Sequence, residues 1–349
     1  MRFGTFVFSI SNDRETDGQV IQETLQEVEL AEETGMDAVW LTEHHFDGET
    51  AYVDPLVFGA AVAAKTTRIK IGFAVVQMAF HHPVRLAAQT ALLDNLSHGR
   101  LIVGIGRGTA LNHFEYAGFG MTMQDGIDRM DEAEDLLVKA WTERDLRYDG
   151  KHWKVSFPLL RPRPYQKPHP PVRIGVTSAE SFPTIGRMGH DMLINPSRVF
   201  TLAELKPQIE EYHKAWTAAG HEGKGKVGLR VPIYLSDDPQ KAHDEPMEST
   251  LLSMGRMSDR VASNAKYDGH TGNWLQEAET IAGMSYDDWF RDKVAFGTPE
   301  AVTEKLQGLT EELGLDQIMF EVDYGNRIPL ENQVNSLRLM METVAPNLG

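Results

Sequence analysis

The chain has 349 residues, 41% hydrophobic and 24% charged, the make-up of a globular protein rather than a disordered one. A formal net charge of −17 argues against a nucleic-acid or anionic-membrane surface, where a basic face is expected. There is no cysteine, so disulfides, thiolate catalysis, zinc–thiolate sites and iron–sulfur clusters are excluded by inventory.

Phe3 to Phe8 reads as a strand, with no long apolar core and no small-residue cleavage site. No stretch approaches the roughly 20 apolar residues that span a bilayer, and the reading is a soluble, cytoplasmic protein. Val20 to Thr34 has helical apolar spacing that stops at Gly35. Ala38 to Leu41 is a second strand, followed by an alanine-rich helix from Pro55 to Lys65. Ile69 to Val76 is a third strand, and Pro83 to Leu96 its helix, with proline in the first turn and Gly99 past the end. Leu101 to Ile105 is a fourth strand. Ile127 to Thr142 is a helix with Met130, Leu136, Leu137, Val138 and Trp141 as candidate core.

The alternation resumes with a strand at Val172 to Gly175, a helix over Phe182 to Met188 and a strand at Met192 to Ile194. A helix over Leu202 to Ala219, a strand over Val227 to Leu235, a last strand over Gln317 to Val322 and a helix near Leu330 to Val344 complete it. Eight strands alternating with helices predict an α/β protein, a (β/α)8 TIM barrel forming a single domain over 1–349. Such a barrel needs about 250 residues, so some are left for insertions at the C-terminal mouth. One is 148–171, where Tyr148-Asp149-Gly150-Lys151 signals a hairpin leading into a proline-rich connector. The other is 246–296, polar and glycine-spotted, read as a long loop that serves as a mobile lid.

The stretch Trp40-Leu41-Thr42-Glu43-His44-His45-Phe46 leaves the second strand at its C-terminal end, where barrel enzymes do their chemistry. An imidazole there can move a proton near neutral pH. The alternatives are a hydrogen-bonded structural pair, or a metal site drawing on Glu43, His44, His45, His81 and His82; adjacent histidines on an extended segment point to opposite faces, against the metal. Gly104-Ile105-Gly106-Arg107-Gly108 after the fourth strand lacks full dinucleotide-fingerprint spacing. Small residues there let a planar ligand approach the backbone, and Arg107 offers planar donors to an anion, or pairs with a surface carboxylate. Thr177, Ser178 and Ser181 either cap a helix or help its N–H groups hold a phosphate. Ala74-Val75-Val76 reads as core lining the barrel mouth.

Together these pieces resemble the bacterial luciferase-like flavin-dependent monooxygenase family. The match runs in order through Met1-Arg2-Phe3-Gly4, Val39 to Phe46, Ile71-Gly72-Phe73-Ala74-Val75-Val76, His82-Pro83-Val84-Arg85, Leu92 to Arg100 and Gly104 to Gly108. It continues at Gln166-Lys167-Pro168-His169-Pro170-Pro171 and Phe296-Gly297-Thr298-Pro299-Glu300, and is weakest between 240 and 295. The resemblance implies a barrel, usually dimeric, that binds FMN at its C-terminal mouth. Reduced FMN, delivered by a separate flavin reductase, reacts with O₂ to a C4a-(hydro)peroxyflavin that oxygenates a small organic substrate. It makes His44 the general base, with Glu43 and His45 in the catalytic set. It places a non-prolyl cis peptide at Ala74–Val75 against the flavin ring, a phosphate on Arg107, Ser178 and Ser181, and Gly106, Gly108, Thr109, Val176 and Thr177 among the cofactor-binding residues. This chain departs from the luciferase subunit in having Thr177 where an acid precedes the capping serine, and Gly106 where a bulkier residue faces the flavin. Rival readings are a coenzyme F420-dependent hydride transferase, a non-catalytic flavin-binding protein and a metal-dependent barrel hydrolase. Arg107-Gly108 favours FMN over F420, and the intact Glu43-His44-His45 stands against a pure binding module.

Overall fold

A computed structural model of the chain describes residues 1–11, 13–108, 112–176, 178–196, 202–266 and 273–348. Eight parallel strands form one sheet: β1 (Arg2–Val7), β2 (Ala38–Leu41), β3 (Lys70–Phe73), β4 (Leu101–Gly106), β5 (Val172–Val176), β6 (Asp191–Ile194), β7 (Val227–Leu235) and β8 (Gln317–Glu321). They follow one another in chain order, β8 pairs with β1, and β6 pairs with β7, so the order returns to its start. This is the (β/α)8 barrel expected from the alternation of elements. Tertiary contacts divide the chain into two compact units, one of Met1–Phe6, Leu30–Ala38 and Ile174–Gly349, the other of Val7–Glu29 and Val39–Arg173.

In the second unit the helices start where their residues dictate. Asp54 accepts from the backbone N–H of Leu56 and Val57 at 2.8 and 3.2 Å ahead of Pro55, which opens the helix Pro55–Lys65. Thr122 and Asp125 form a capping box at the head of Met123–Thr142. Of the residues expected inside that helix, Leu136, Leu137 and Trp141 are buried, and Met130 and Val138 only partly. The run from Leu92 to Arg100 has a structural use. Arg100 donates to the carbonyls of Ser97, Ile69, Ala63 and Thr66, and fully buried Asp94 accepts from the backbone and side chain of Gln166, each at 2.8 Å. The hairpin expected after Tyr148 is present, pairing Leu146–Asp149 with Lys154–Phe157.

The third strand is not continuous over Ile69 to Val76. It stops at Phe73, the Ala74–Val75 peptide is cis, and pairing resumes at Val76–Gln77, opposite Ile105 and Gly106 of β4. The apolar run masks this break because both halves are buried.

In the first unit β7 is buried at all nine positions. Here the 246–296 segment departs from the loop expected for it. Its described residues hold helices at Met247–Ser263, Trp274–Gly283 and Tyr286–Asp292 and a short strand at Ala295–Gly297 beside the end of β7. The first two are tied where Ser258 Oγ donates to the Ala278 carbonyl at 2.9 Å. Met254, Trp289, Val294 and Phe296 share a buried cluster with Tyr234, Tyr324 and Ile328. The helix Met247–Ser263 carries Met247, Leu251, Met254, Met257 and Val261 at helical spacing and buries Ser249 and Thr250 beside Met254 and Val261. The final helix ends at Leu339 and continues as a π-turn over Met340–Val344. No helix among the described residues is long and apolar enough to cross a membrane.

Candidate active site

β2 ends at Leu41, and Thr42 to Phe46 follow it without regular structure. The exit is fixed by Tyr52, whose hydroxyl accepts from Thr42 N–H and donates to the Val7 carbonyl, both at 2.9 Å. Burial pushes that phenol up to about 12, so it stays a neutral bridge between the ends of the two strands.

Glu43 is 3% exposed and fully engaged. Its Oε1 accepts from His45 Nε2 at 2.8 Å and His81 Nε2 at 2.9 Å, and its Oε2 accepts from Gln77 N–H at 2.6 Å. Burial alone raises a carboxyl. The hydrogen bonds from His45 and His81, the charge on His81 and the Gln77 N–H outweigh it and hold Glu43 below the usual range. Burial pulls His81 down, but its bond to the Glu43 carboxylate leaves it above an ordinary imidazole.

A second carboxylate lies alongside. Glu115, on the short helix His113–Gly118, is completely buried. Its Oε1 accepts from His45 N–H at 2.7 Å and contacts His44 Nδ1 at 3.2 Å, while its Oε2 accepts from Asn112 Nδ2 at 3.0 Å and Gln77 Nε2 at 3.2 Å. Gln77 Nε2 also donates to the Glu43 carbonyl at 2.7 Å, so one amide spans both acids. The His44 ring stacks on Phe8, with 5.8 Å between centroids and 15° between planes. His44 keeps 22% of its side chain exposed where Glu43 and Glu115 keep 2% and none. The imidazole can therefore meet a ligand; Glu115, which holds it, and Glu43 cannot.

Three residues expected at the site, Glu43, His44 and His45, are thus brought into one network. Gln77, Asn112 and Glu115 belong to it and carried no signal of their own in the sequence, and His81, which the sequence offers only as a metal ligand, joins them on Glu43. Glu115 lies 71 residues from His44, beyond any local spacing. The other expected residues have separate settings. A Cβ on Gly106 would sit 2.8 Å from Val75 Cγ2, so glycine there lets the end of β4 pack on the cis peptide. Gly108 has φ of +100°, a backbone that favours glycine. Tyr116 Oη donates to the Arg107 carbonyl at 3.0 Å, and the Arg107 guanidinium makes no hydrogen bond or ion pair among the described residues. In the other unit, Val176 ends β5 buried, and Ser178 Oγ and Ser181 Oγ are 2.9 Å apart where the helix Ser181–Met188 opens. Thr109 and Thr177 lie outside the described residues.

The family model for luciferase-like monooxygenases matches residues 1–317. Limonene 1,2-monooxygenase of Rhodococcus erythropolis is 36% identical over 94% of this chain and 82% of its own length. The oxygenase component of the flavin-dependent trigonelline monooxygenase of Acinetobacter baylyi is 25% identical over 99% and 95%. The crystal structure of the monooxygenase RslO1 from Streptomyces bottropensis superimposes with a TM-score of 0.82 at 27% identity, over the whole of both chains. The barrel, the acid–histidine network after β2 and the family match lead to one conclusion: the chain belongs to the luciferase-like monooxygenase family, a family of oxidoreductases.

Proposed function

We propose that this chain is the oxygenase component of a two-component system, taking reduced FMN from a separate flavin reductase and using O₂ to oxygenate a small, largely apolar organic substrate. The observation that carries the reading is His44, part-exposed at the C-terminal end of β2 and held from behind by a buried carboxylate. The residues present suit a flavin mononucleotide. Ala74 and Val75, both part-exposed, offer small apolar surface to a planar ring, and Gly106 lets β4 pack against Val75. The Arg107 guanidinium, without a hydrogen bond or ion pair among the described residues, suits a phosphate, and Ser178 and Ser181 put two hydroxyls at a helix N-terminus, each a fitting phosphate donor on the family resemblance.

When bound, reduced FMN supplies the two electrons with which O₂ gives one oxygen atom to the substrate and the other to water. The chain's own part is to hold the ring against Ala74–Val75, exclude water, and move a proton through the His44 imidazole. Glu43, locked ionised by His45 and His81, keeps the loop beneath His44 from shifting. The homodimer implied by the resemblance is proposed with it and is read by sedimentation velocity.

An anaerobic titration of the purified protein with reduced FMN, oxidised FMN and F420, followed by flavin fluorescence, tests the cofactor. Reduced FMN is expected to bind tightest of the three. Saturable binding of F420 with no response to either form of FMN overturns the proposal in favour of hydride transfer.

A further inference from the structure

We propose that Glu115 is a positioning residue that holds His44 in the tautomer with its proton on Nδ1, leaving Nε2 as the atom that exchanges the proton in turnover. This rests on the reading of His44 given above and adds to it the residue that orients the ring and the nitrogen that acts.

Glu115 has four acceptor positions on two oxygens, and four donors surround it: His45 N–H and His44 Nδ1 on Oε1, Asn112 Nδ2 and Gln77 Nε2 on Oε2. Neutral imidazole places its one proton on either ring nitrogen, and the hydrogen bond made by one nitrogen decides the other. With the proton on Nδ1, the ring donates to Oε1 at 3.2 Å and completes the set. With the proton on Nε2, a bare Nδ1 lone pair faces a carboxylate oxygen in a site with no exposed surface on the acid. The contact in its favour is then one N–H of Asn112 Nδ2 at 3.2 Å, the other going to Glu115 Oε2 at 3.0 Å, and this neutral bond leaves the lone pair against the carboxylate. A charge-assisted bond outweighs a neutral one that leaves a lone pair facing a carboxylate, so the Nδ1–H form prevails. Phe8 stacked on one face of the ring limits its rotation, and Gly118, on the same short helix as Glu115, packs under the Phe46 ring, pinning the loop that carries His44 and His45. The arrangement performs for His44 the service that a buried acid performs for the histidine of a nucleophilic triad, with no nucleophile here.

The test reads the tautomer first. In protein labelled with ¹⁵N-histidine, the His44 signals, assigned by their loss in His44→Asn, are expected to show a protonated Nδ1 and a bare Nε2 in the neutral ring. A bare Nδ1 in the wild-type protein overturns the inference whatever the activity. Glu115→Gln, whose amide must turn one N–H toward surrounding donors, is expected to shift His44 toward the other tautomer and to lower kcat on the order of 10²- to 10⁴-fold, with reduced-FMN affinity unchanged. Glu115→Asp, which keeps the charge, is expected to recover part of that loss, and it serves if the glutamine variant fails to fold. In a His44→Ala background Glu115→Gln is expected to cost nothing further. An equal loss in both backgrounds marks Glu115 as merely structural and overturns the proposal. If the tautomer responds to Glu115 but neither variant changes turnover, the positioning by Glu115 stands and the reading of His44 as the proton-transfer group falls.

Discussion

Two buried acid clusters in this molecule show opposite behaviour. Glu43, in the Val39–Arg173 unit, is held below its ordinary value by two imidazoles and an amide N–H, although burial opposes it. Glu321, at the end of β8 in the other unit, is pushed up by burial despite its ion pair with Arg230, which stacks on Phe6 with its guanidinium 4.3 Å from the ring centre. Nearby in sequence, burial pushes Asp323 up to about 6 against the N–H groups of Ile328 and Arg327. The contrast lies in the donors. Guanidinium stays protonated and can only hold a charge in place, whereas imidazoles can give a proton up and take it back. Of the two clusters, the one with histidines and a part-exposed ring is equipped for chemistry, and the one with arginine for holding β7 to β8.

The comparison breaks most readily at His44. His44→Ala is expected to lower turnover about 10²- to 10⁴-fold while leaving the melting temperature and reduced-FMN affinity close to wild type. The assay is product formation across a panel of apolar alkenes, carbonyl compounds and pyridinium compounds. Arg230→Met should do the reverse. It leaves Glu321 buried and unpaired, a loss of about 3–5 kcal/mol in urea unfolding, and the double variant Arg230→Met, Glu321→Leu should recover most of it. A single variant as stable as wild type would show that the pair is not what holds the two strands. Glu43→Gln comes next, at about 1.5–3 kcal/mol, the worth of hydrogen bonds to a charged group; unlike Arg230→Met it should also depress turnover.

The smallest effect is on pH dependence, and its sign differs between the acids of the two clusters. Glu43 is lowered from 4.5, so its contribution is present above 4.5 and is lost as pH falls through its folded value. His81 is raised from 6.5, so its contribution is complete below 6.5 and is lost as pH rises past it. Their bond thus stabilises most between those two values. Asp323 binds its proton more tightly when folded, so it lowers stability as pH rises from 3.8 to about 6. Asp323→Asn should flatten that fall, and His81→Gln should flatten the loss above 6.5, both read from unfolding midpoints across pH. Unaltered slopes in both variants would contradict the contrast.

Much of this was legible in the sequence where local rules act alone. Ala38–Leu41, Pro55–Lys65, Pro83–Leu96 and Val227–Leu235 have the bounds their residues suggest, because a proline, a cap or a change from apolar to polar residues marks each end. The insertion at 246–296 reads as polar and glycine-spotted although Met247, Leu251, Met254 and Val261 fall at helical spacing, and its partners Tyr234, Tyr324 and Ile328 come from distant positions. The site divides in the same way. Glu43-His44-His45 shows itself as three chemical groups on one strand exit. Gln77 and Glu115 take part because the break after Phe73 and the short helix His113–Gly118 place them there, and neither leaves a pattern in residue spacing.

The central claim is oxygenation with reduced FMN, and the most direct measurement is isotope incorporation. The chain, a flavin reductase, FMN and NADH would be supplied with ¹⁸O₂ and the same compound panel, and products read by mass spectrometry. Oxygenation with reduced FMN gives one ¹⁸O atom per product, formed only with the reductase present and lost in His44→Ala. Products reduced or oxidised by two electrons without label, or labelled products that persist without reductase or reduced flavin, would contradict it.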